Sequence, residues 1–319
     1  MDKKKISVLM TVYKENEEEL RESFESIINQ TYKNLEIIVV IDFPDETWRK
    51  ELIEQYKDKR VKLILNEKNI GLPLSLNKAL KVATGDYYAR MDADDISTLD
   101  RFEKQLEYIE KEDCDLVGSY MQYFYEGKDQ QLGIYPTKSE NICKLLKYKS
   151  CVLHPTWLAK PEVFKELNGY RNIFSCEDYD FLLRASIYGF RLANYPEVLY
   201  KCRLSPNSIS RSNAGKQELI SELLRKGYKK GKVISEQEIN NFINSKKYKR
   251  KIKSYNNYGE MKNKRARYRA NKFPMFYIYS ILLLLNLNHS VKDIRVKIYN
   301  KYILFKDKNG RRGHKKISE

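Results

Sequence analysis

Apolar residues in the first part of the chain fall into four short runs: ISVLMTVY (6–13), LEIIVVID (35–42), VKLILN (61–66) and DYYARMD (86–92). Each is apolar at consecutive positions and rich in β-branched or aromatic residues, the pattern of a strand buried on both faces. Between them, ENEEELRESFESIINQ, DETWRKELIEQY and PLSLNKALKVATG carry apolar residues at helical spacing. This alternation predicts an α/β fold, a mostly parallel sheet with helices on both sides.

The alternation continues less regularly. STLDRFEKQLEYIEKE predicts a helix capped by Ser97 or Thr98, and DLVGSYMQYF (115–124) a strand. EGKDQQLGIYPTKSE reads as a loop, SENICKLLKYK as a helix and CVLHPTWLAKP as a strand ended by Pro161. Helices follow at PEVFKELNG and CEDYDFLLRASIYG, then a strand near EVLYKCR. Residues 211 to about 245 read as helical, 246–272 as polybasic with interleaved Tyr, and FPMFYIYSILLLLNL (273–287) is the most apolar stretch.

Charge sharpens this division. The chain of 319 residues has a formal net charge of +17, yet residues 246–319 alone hold 22 Lys and Arg against four acids. Residues 1–245 are therefore close to neutral, and only the tail seeks anionic lipid or nucleic acid. Five scattered Cys without a CxxC pair argue against a disulfide framework or zinc site and for a reducing cytosol. The basic start MDKKKISVLM breaks at Thr11 and runs into ENEEEL, so no signal peptide is expected.

In open α/β sheets ligands bind outside the carboxyl ends of the strands. Those ends carry Thr11 and Tyr13, Asp42 and Asp45, Asn66 and Asn69, and then Asp92, Asp94 and Asp95 of DADD. Asp92 and Asp94 alternate along an extended chain and share a face. Two such carboxylates suit one Mg²⁺ or Mn²⁺ held against a diphosphate. A bare DxDD is more often an acidic turn or a helix-cap cluster; its place at a strand end favours the metal.

The segments TVYKENEEEL, VVID, NEKNIGLPLSLNKAL, ATGDYYARMDADD, HPTWLAKPEVF, NGYRNIFSCEDYDFLLRASIYGF and YPEVLYKCR occur in the order seen in family 2 nucleotide-sugar glycosyltransferases. Over residues 6 to about 211 the chain resembles the capsule, exopolysaccharide and lipopolysaccharide branch of that family. The resemblance implies a GT-A (Rossmann-like) fold with a catalytic domain over 1–210, and charge and pattern make 211–319 a basic helical region beyond it. Within the catalytic domain the resemblance implies a nucleotide-binding half (about 1–115) and an acceptor half (about 116–210).

Its implied roles fall on named residues. Thr11 and Tyr13 would line the base pocket with Glu15 nearby, Asp42 would contact the uracil or ribose, and Asn69 and Gly71 would lie beside the nucleotide. Arg90 would meet a phosphate, Asp92 would face ribose and metal, and Asp94 would be the direct ligand of Mn²⁺ or Mg²⁺. In CEDYD, Asp178 would be the general base with Glu177 beside it; the alternative is a pair of acids favouring a helix N-terminus. His154 would lie in the cleft on the acceptor side.

Three positions depart from the family pattern: Thr11 stands where Pro is frequent, IDFPD leaves Asp45 as the second acid at the second strand end, and CRLSPNS keeps Arg203 but has Ser205 where relatives often carry His. The implied activity is inverting, metal-dependent transfer from a nucleotide-sugar, a UDP-sugar, to a glycan or lipid-linked acceptor in bacterial surface polysaccharide synthesis. A nucleotidyltransferase-like enzyme and an inactive basic scaffold are the alternatives. The stretch 246–287 is expected either to lie on an anionic membrane at the inner face of the plasma membrane or to pack on the body. It is too short in its apolar part to span a bilayer, and no nucleic-acid partner is expected because no matching fold signature accompanies it.

Overall fold

The computed structural model describes residues 4–43, 47–173, 175–204, 214–270, 278 and 294–307. Strands β1 (Ile6–Val12), β2 (Leu35–Ile41), β3 (Val61–Leu65) and β4 (Tyr87–Asp92) run parallel. They are linked through α1 (Glu17–Ile28), α2 (Trp48–Glu54) and α3 (Leu72–Val82). Val8, Met10 and Val12 of β1, with Ile37, Val39 and Ile41 of β2, pack with Leu20, Phe24 and Ile27 of α1. Their neighbours Leu9, Ile38 and Val40 point to the other face, against Leu76 and Ala79 of α3. Both faces are covered, so consecutive positions are apolar, each large side chain contributing about 1.5 to 3 kcal/mol on burial.

Local chemistry fixes the connections. Asn16 and Glu19 form a reciprocal capping box that starts α1. Gly71 precedes α3 with φ +86°, a conformation that costs glycine nothing. The buried Glu36 of β2 accepts hydrogen bonds from Ser7 Oγ at 2.6 Å and Thr84 N at 3.0 Å, and pairs with Lys62. Burial opposes ionisation there, but these partners win and hold Glu36 at about 2.

The sheet continues past β4 in the order β3-β2-β1-β4-β8-β6-β9-β5, with β7 paired to β6. The added strands are β5 (Ile96–Ser97), β6 (Leu116–Tyr125), β7 (Lys128–Gly133), β8 (Leu158–Ala159) and β9 (Leu192–Arg203). The helices of this half are α4 (Arg101–Lys111), α5 (Ser139–Leu146), α6 (Pro161–Glu166) and α7 (Glu177–Ile187). Strand β8 is antiparallel to both β4 and β6, and so joins the two halves of the sheet.

Three local expectations change. The segment read as a loop after Tyr125 contains β7, which turns back on β6 through Glu126 and Gly127, both at positive φ. Its exposed sequence KDQQL has no apolar period to announce it. His154–Thr156 is a 3₁₀ turn, with only Leu158–Ala159 as strand. Ser97 belongs to β5, paired with Tyr200, and α4 starts at Arg101 with Asp100 in the cap position.

Helices α8 (Ala214–Tyr228), α9 (Glu236–Asn244) and α10 (Lys246–Ala270) follow, then α11 over residues 294–307. Helix α8 packs on α7 and α10, burying Leu219, Ile220 and Leu224. The apolar stretch 273–287 lies outside the described residues apart from Ile278. Among the described residues, no helix is long and apolar enough to cross a membrane.

Candidate active site

Strand register creates the floor of the site. Thr11 of β1 pairs with Asp92 of β4 in the parallel ladder, so the ends of the two strands emerge side by side. Chain leaving β1 bends at once: Tyr13 N donates to a Glu15 carboxylate oxygen at 2.6 Å, and Arg49 Nη2 donates to the Glu15 carbonyl at 3.0 Å. The Tyr13 ring meets Phe43 edge-on at 5.6 Å, and the Arg49 guanidinium lies 4.3 Å from the Trp48 ring. This aromatic and cationic wall flanks the ends of β1 and β2.

At the end of β2, Asp42 is buried and its carboxylate is fully occupied. One oxygen accepts from Asn66 Nδ2 at 2.8 Å and Ile70 N at 2.9 Å, and the other from Gly71 N at 2.8 Å. Asp42 therefore shapes the loop that carries Asn69 and Gly71. Asn69 itself is exposed on that loop. Asp45 and Ser205 lie outside the described residues.

The DADD turn is held from three directions. Ser23 Oγ of α1 donates to the Asp92 carbonyl at 2.8 Å. The Tyr200 hydroxyl of β9 accepts from Asp92 N at 3.2 Å. From the end of β9, Arg203 N donates to Asp95 at 2.7 Å and Arg203 Nε to the Asp94 carbonyl at 2.9 Å. Arg203 also pairs with Glu22 of α1, so it ties α1, the acidic turn and β9 together.

Within the turn the carboxylates have different tasks. Arg90, 2% exposed, pairs with Asp92 and donates to the Met91 carbonyl. Asp95 is engaged by Arg203 N and Tyr200; burial and then Asp94 and Asp92 push it well above the usual carboxylate range. Among the described residues, no side chain from elsewhere in the fold donates a hydrogen bond to the Asp94 carboxylate. Burial, then Asp92, then Glu15 raise Asp94 to about 7. Glu15 is raised too, by burial first and with Asp92 adding to it.

A second acidic pair, Glu177 and Asp178, lies on the first turn of α7. Burial and the neighbouring Asp178 raise Glu177 to about 7, whereas burial, opposed by the backbone N–H groups of the helix start and reinforced by Asp92, raises Asp178 to about 6. Asp92 lies within electrostatic reach of both Glu177 and Asp178. The third acid of CEDYD differs: Asp180 is buried and ion-paired to Arg171 and to Arg184 Nε at 2.8 Å, a framework contact.

His154 is buried on the 3₁₀ turn, where its Nε2 lies 2.9 Å from the Tyr170 hydroxyl. Burial and then the nearby Arg90 drive its proton affinity far down, so it is a neutral hydrogen-bonding group. The structure thus places Thr11 and Arg90 against Asp92, Arg203 on Asp94 and Asp95, and Glu15, Glu177 and Asp178 within electrostatic reach of Asp92, with His154 near Arg90. Tyr13 follows the end of β1, and Asp42, Asn69 and Gly71 lie between β2 and α3.

Sequence reasoning missed Tyr200, Tyr170 and Arg101. Arg101 is fully buried and donates to the Arg90 carbonyl at 2.9 Å and to Gln105, while its guanidinium lies 5.3 Å from the Tyr200 ring. Burial lowers it to about 10. Its signal was a charge at a core position of an amphipathic helix, visible only once the buried face of α4 is known.

Two carboxylates of the DADD turn are the residues that could hold a divalent cation. Hard cations such as Mg²⁺ take one or two protein carboxylates and complete their shell with substrate phosphates and water. The two carboxylates are those of Asp94, raised by burial and then by its acidic neighbours, and of Asp92, through the oxygen not engaged by Arg90. No group of three or more His, Cys, Asp or Glu capable of holding a metal occurs among the described residues.

Comparison with known proteins agrees with this geometry. Residues 7–188 match glycosyl transferase family 2. The chain is 36% identical over 238 residues to the uncharacterized glycosyltransferase MJ1057 of Methanocaldococcus jannaschii, covering 73% of this chain and 82% of that one. It is 33% identical to the O-antigen biosynthesis glycosyltransferase WbnJ of Escherichia coli, over 70% of this chain and 89% of that one. Among solved structures, Staphylococcus aureus TarS 1–349 in complex with UDP-GlcNAc superposes with a TM-score of 0.57 at 18% identity, covering 75% of this chain and 72% of that one. The strand order, the acidic turn after β4 and these matches together make the chain a glycosyltransferase of family 2, with the GT-A fold.

Proposed function

We propose that this enzyme transfers a sugar, with inversion, from a UDP-sugar to a hydroxyl of a glycan or lipid-linked acceptor in bacterial surface polysaccharide synthesis. The observation that carries the reading is the electrostatic reach between two acidic groups, Asp92 with Asp94 at the end of β4 and Glu177 with Asp178 at the start of α7. Relatives point the same way: one Escherichia coli protein, 30% identical over 226 residues, is a UDP-Gal:alpha-D-GlcNAc-diphosphoundecaprenol beta-1,3-galactosyltransferase. Residues 1–210 form the catalytic domain in this reading, and 211–319 the basic helical region, acting at the cytoplasmic face of the membrane.

The nucleotide lies along the ends of β1 and β2. Tyr13 offers a face for the base, Thr11 and Glu15 border it, and Asp42 sets the loop of Asn69 and Gly71 beside it. Asp92, steadied by Arg90, faces the ribose. A divalent cation held by Asp94 and Asp92 would offset the negative charge that grows on the departing diphosphate.

On the other side, Asp178 accepts the acceptor hydroxyl's proton as that oxygen attacks the anomeric carbon. The bond from the anomeric carbon to the diphosphate oxygen breaks in the same displacement, and the nucleoside diphosphate leaves with the electron pair. Attack from the opposite face inverts the anomeric centre. With its proton affinity raised to about 6, Asp178 is ionised near neutrality yet a stronger base than an ordinary aspartate. Glu177 beside it is raised to about 7 by burial and by the charge of Asp178, so Asp178 ionises first. His154, neutral and hydrogen-bonded to Tyr170, lines the acceptor side.

The test is product analysis with UDP-, dTDP-, GDP- and CMP-sugars, each with Mn²⁺ and again with EDTA. Metal-dependent release of UDP with an inverted glycoside supports the reading. Release of pyrophosphate would instead make the enzyme a nucleotidyltransferase, and no turnover with any donor would remove the assignment.

A further inference from the structure

Helix α11, residues 294–307, has two working faces. Its inner face carries Ile303 and Asp307, 1% and 3% exposed. Asp307 accepts hydrogen bonds from Thr137 N at 3.0 Å, Thr137 Oγ1 at 2.7 Å and Asn141 Nδ2 at 3.0 Å. It therefore fastens the turn that enters α5 and the Asn141 side chain of its first turn to a distant part of the chain. The Tyr299 ring adds a contact 4.5 Å from that of Tyr148.

Its outer face is apolar where solvent should favour polar groups. Ile294, Ile298, Tyr302 and Phe305 are 50%, 63%, 49% and 64% exposed. At 3.6 residues per turn these four fall within about 80° of arc. Lys297 and Lys301 border that stripe on one side and Arg295 and Lys306 on the other, all four exposed. Lys306 Nζ lies 5.1 Å over the Tyr302 ring.

We propose that this outer face binds the surface of an anionic phospholipid membrane, with α11 lying in the plane of the interface. An apolar stripe between two rows of cations matches such a surface, because long basic side chains lay their stems along acyl chains while their charges meet phosphates. The helix is about 21 Å long, too short to span the roughly 30 Å hydrocarbon layer but sufficient to rest in it. A second copy is the poorer occupant: pairing the stripe with itself sets four cations against four, within a tail of 22 basic residues and four acids. Nucleic acid would meet the cations but leave Ile298 and Phe305 in water.

The surface orients the enzyme. Helix α11 is fastened to α5, α5 packs on α7 and β9, and α7 bears Glu177 and Asp178. A bilayer beneath α11 would lie against the acceptor half, where a lipid-linked hydroxyl could reach Asp178. That last consequence rests on the proposed function; lipid binding itself does not.

The full-length protein should be floated with vesicles of phosphatidylglycerol and phosphatidylcholine, and with vesicles of phosphatidylcholine alone. Wild type should bind the anionic vesicles and lose them at high salt. I298S/F305S should weaken binding at least about tenfold through lost apolar burial, and K297A/K301A about 25-fold, at about fivefold for each cation. Both variants should keep the wild-type melting temperature and the wild-type rate on a water-soluble acceptor. Equal vesicle binding by wild type and variants would overturn the proposal, as would binding indifferent to lipid charge. So would a lowered melting temperature or dissociation of a dimer in I298S/F305S, which would mean that the stripe is covered by protein. Loss of transfer in wild type with a soluble acceptor would count against the proposed function and leave the lipid result standing.

Discussion

Asp178 and Asp180 sit two residues apart on α7 and should respond to the same substitution in opposite ways. Asp178 is a part-buried carboxyl whose ionisation the fold resists, raised from 3.8 to about 6 by burial and by Asp92. Replacing it with Asn removes a charge the folded state holds at a cost. Two pH units correspond to about 3 kcal/mol at pH 8, an upper figure because solvent still reaches part of the group. The sign follows from linkage. The penalty is complete above about pH 6, where the folded group is ionised, and disappears as pH falls toward the unfolded value of 3.8.

D178N should therefore melt above wild type at pH 8 by a few degrees, at about 2 °C per kcal/mol for a chain of this size, and the gap should narrow by pH 4.5. D180N should melt far below wild type at both values, because breaking a buried pair leaves Arg171 and Arg184 uncompensated at a cost of about 3 to 5 kcal/mol. D178N should also lose about 10²- to 10⁴-fold in kcat with nucleotide affinity kept. The assay is a pair of thermal melts at two pH values beside steady-state rates. If D178N were less stable than wild type at pH 8 the strained-carboxylate argument would fail, and if it transferred sugar at the wild-type rate the base assignment would fail.

Three further outcomes follow from the same geometry. D94A should abolish the rise in melting temperature that UDP and Mn²⁺ together give wild type; a shift equal to wild type would place the cation elsewhere. Y200F removes the hydroxyl that accepts from Asp92 N and contacts the Asp95 carboxyl, and should cost about 1 to 3 kcal/mol in urea unfolding. It should also lower kcat/KM; unchanged kinetics would reduce Tyr200 to a packing residue. D307A removes the buried acceptor of Thr137 and Asn141 and should cost about 2 kcal/mol and raise cleavage by added protease within 294–307, with D307N between it and wild type.

The parallel half of the fold was legible because β1, β2 and β4 are buried on both faces, and such strands announce themselves without tertiary knowledge. The acidic turn was legible for a related reason: DADD falls directly after one of these runs, and the topology of a parallel sheet sends all its strand ends to one rim. Strand β7 escaped because an exposed edge strand needs no apolar side chain, only the backbone of β6 and the turn at Glu126 and Gly127. The 3₁₀ turn at His154 escaped because HPTWLA is apolar enough for a strand, and Pro155 alone does not distinguish a chain that ends from one that coils.

The supporting groups of the site were the least legible, for a physical reason. Arg101 sits on a helix that reads as ordinary and Tyr200 on a strand that reads as ordinary; each acquires its role only where α4, β4 and β9 meet. A carboxylate cluster can be seen in a sequence because charge is conspicuous against an apolar strand, but what holds that cluster in place is chosen by packing. Asp42 carries the same point furthest. As a residue type at a strand end it reads as a ligand contact, yet both its oxygens are occupied by Asn66, Ile70 and Gly71. Its effect on a bound nucleotide would pass through the loop it shapes, so replacing it should disturb Asn69 and Gly71 before it removes any direct contact.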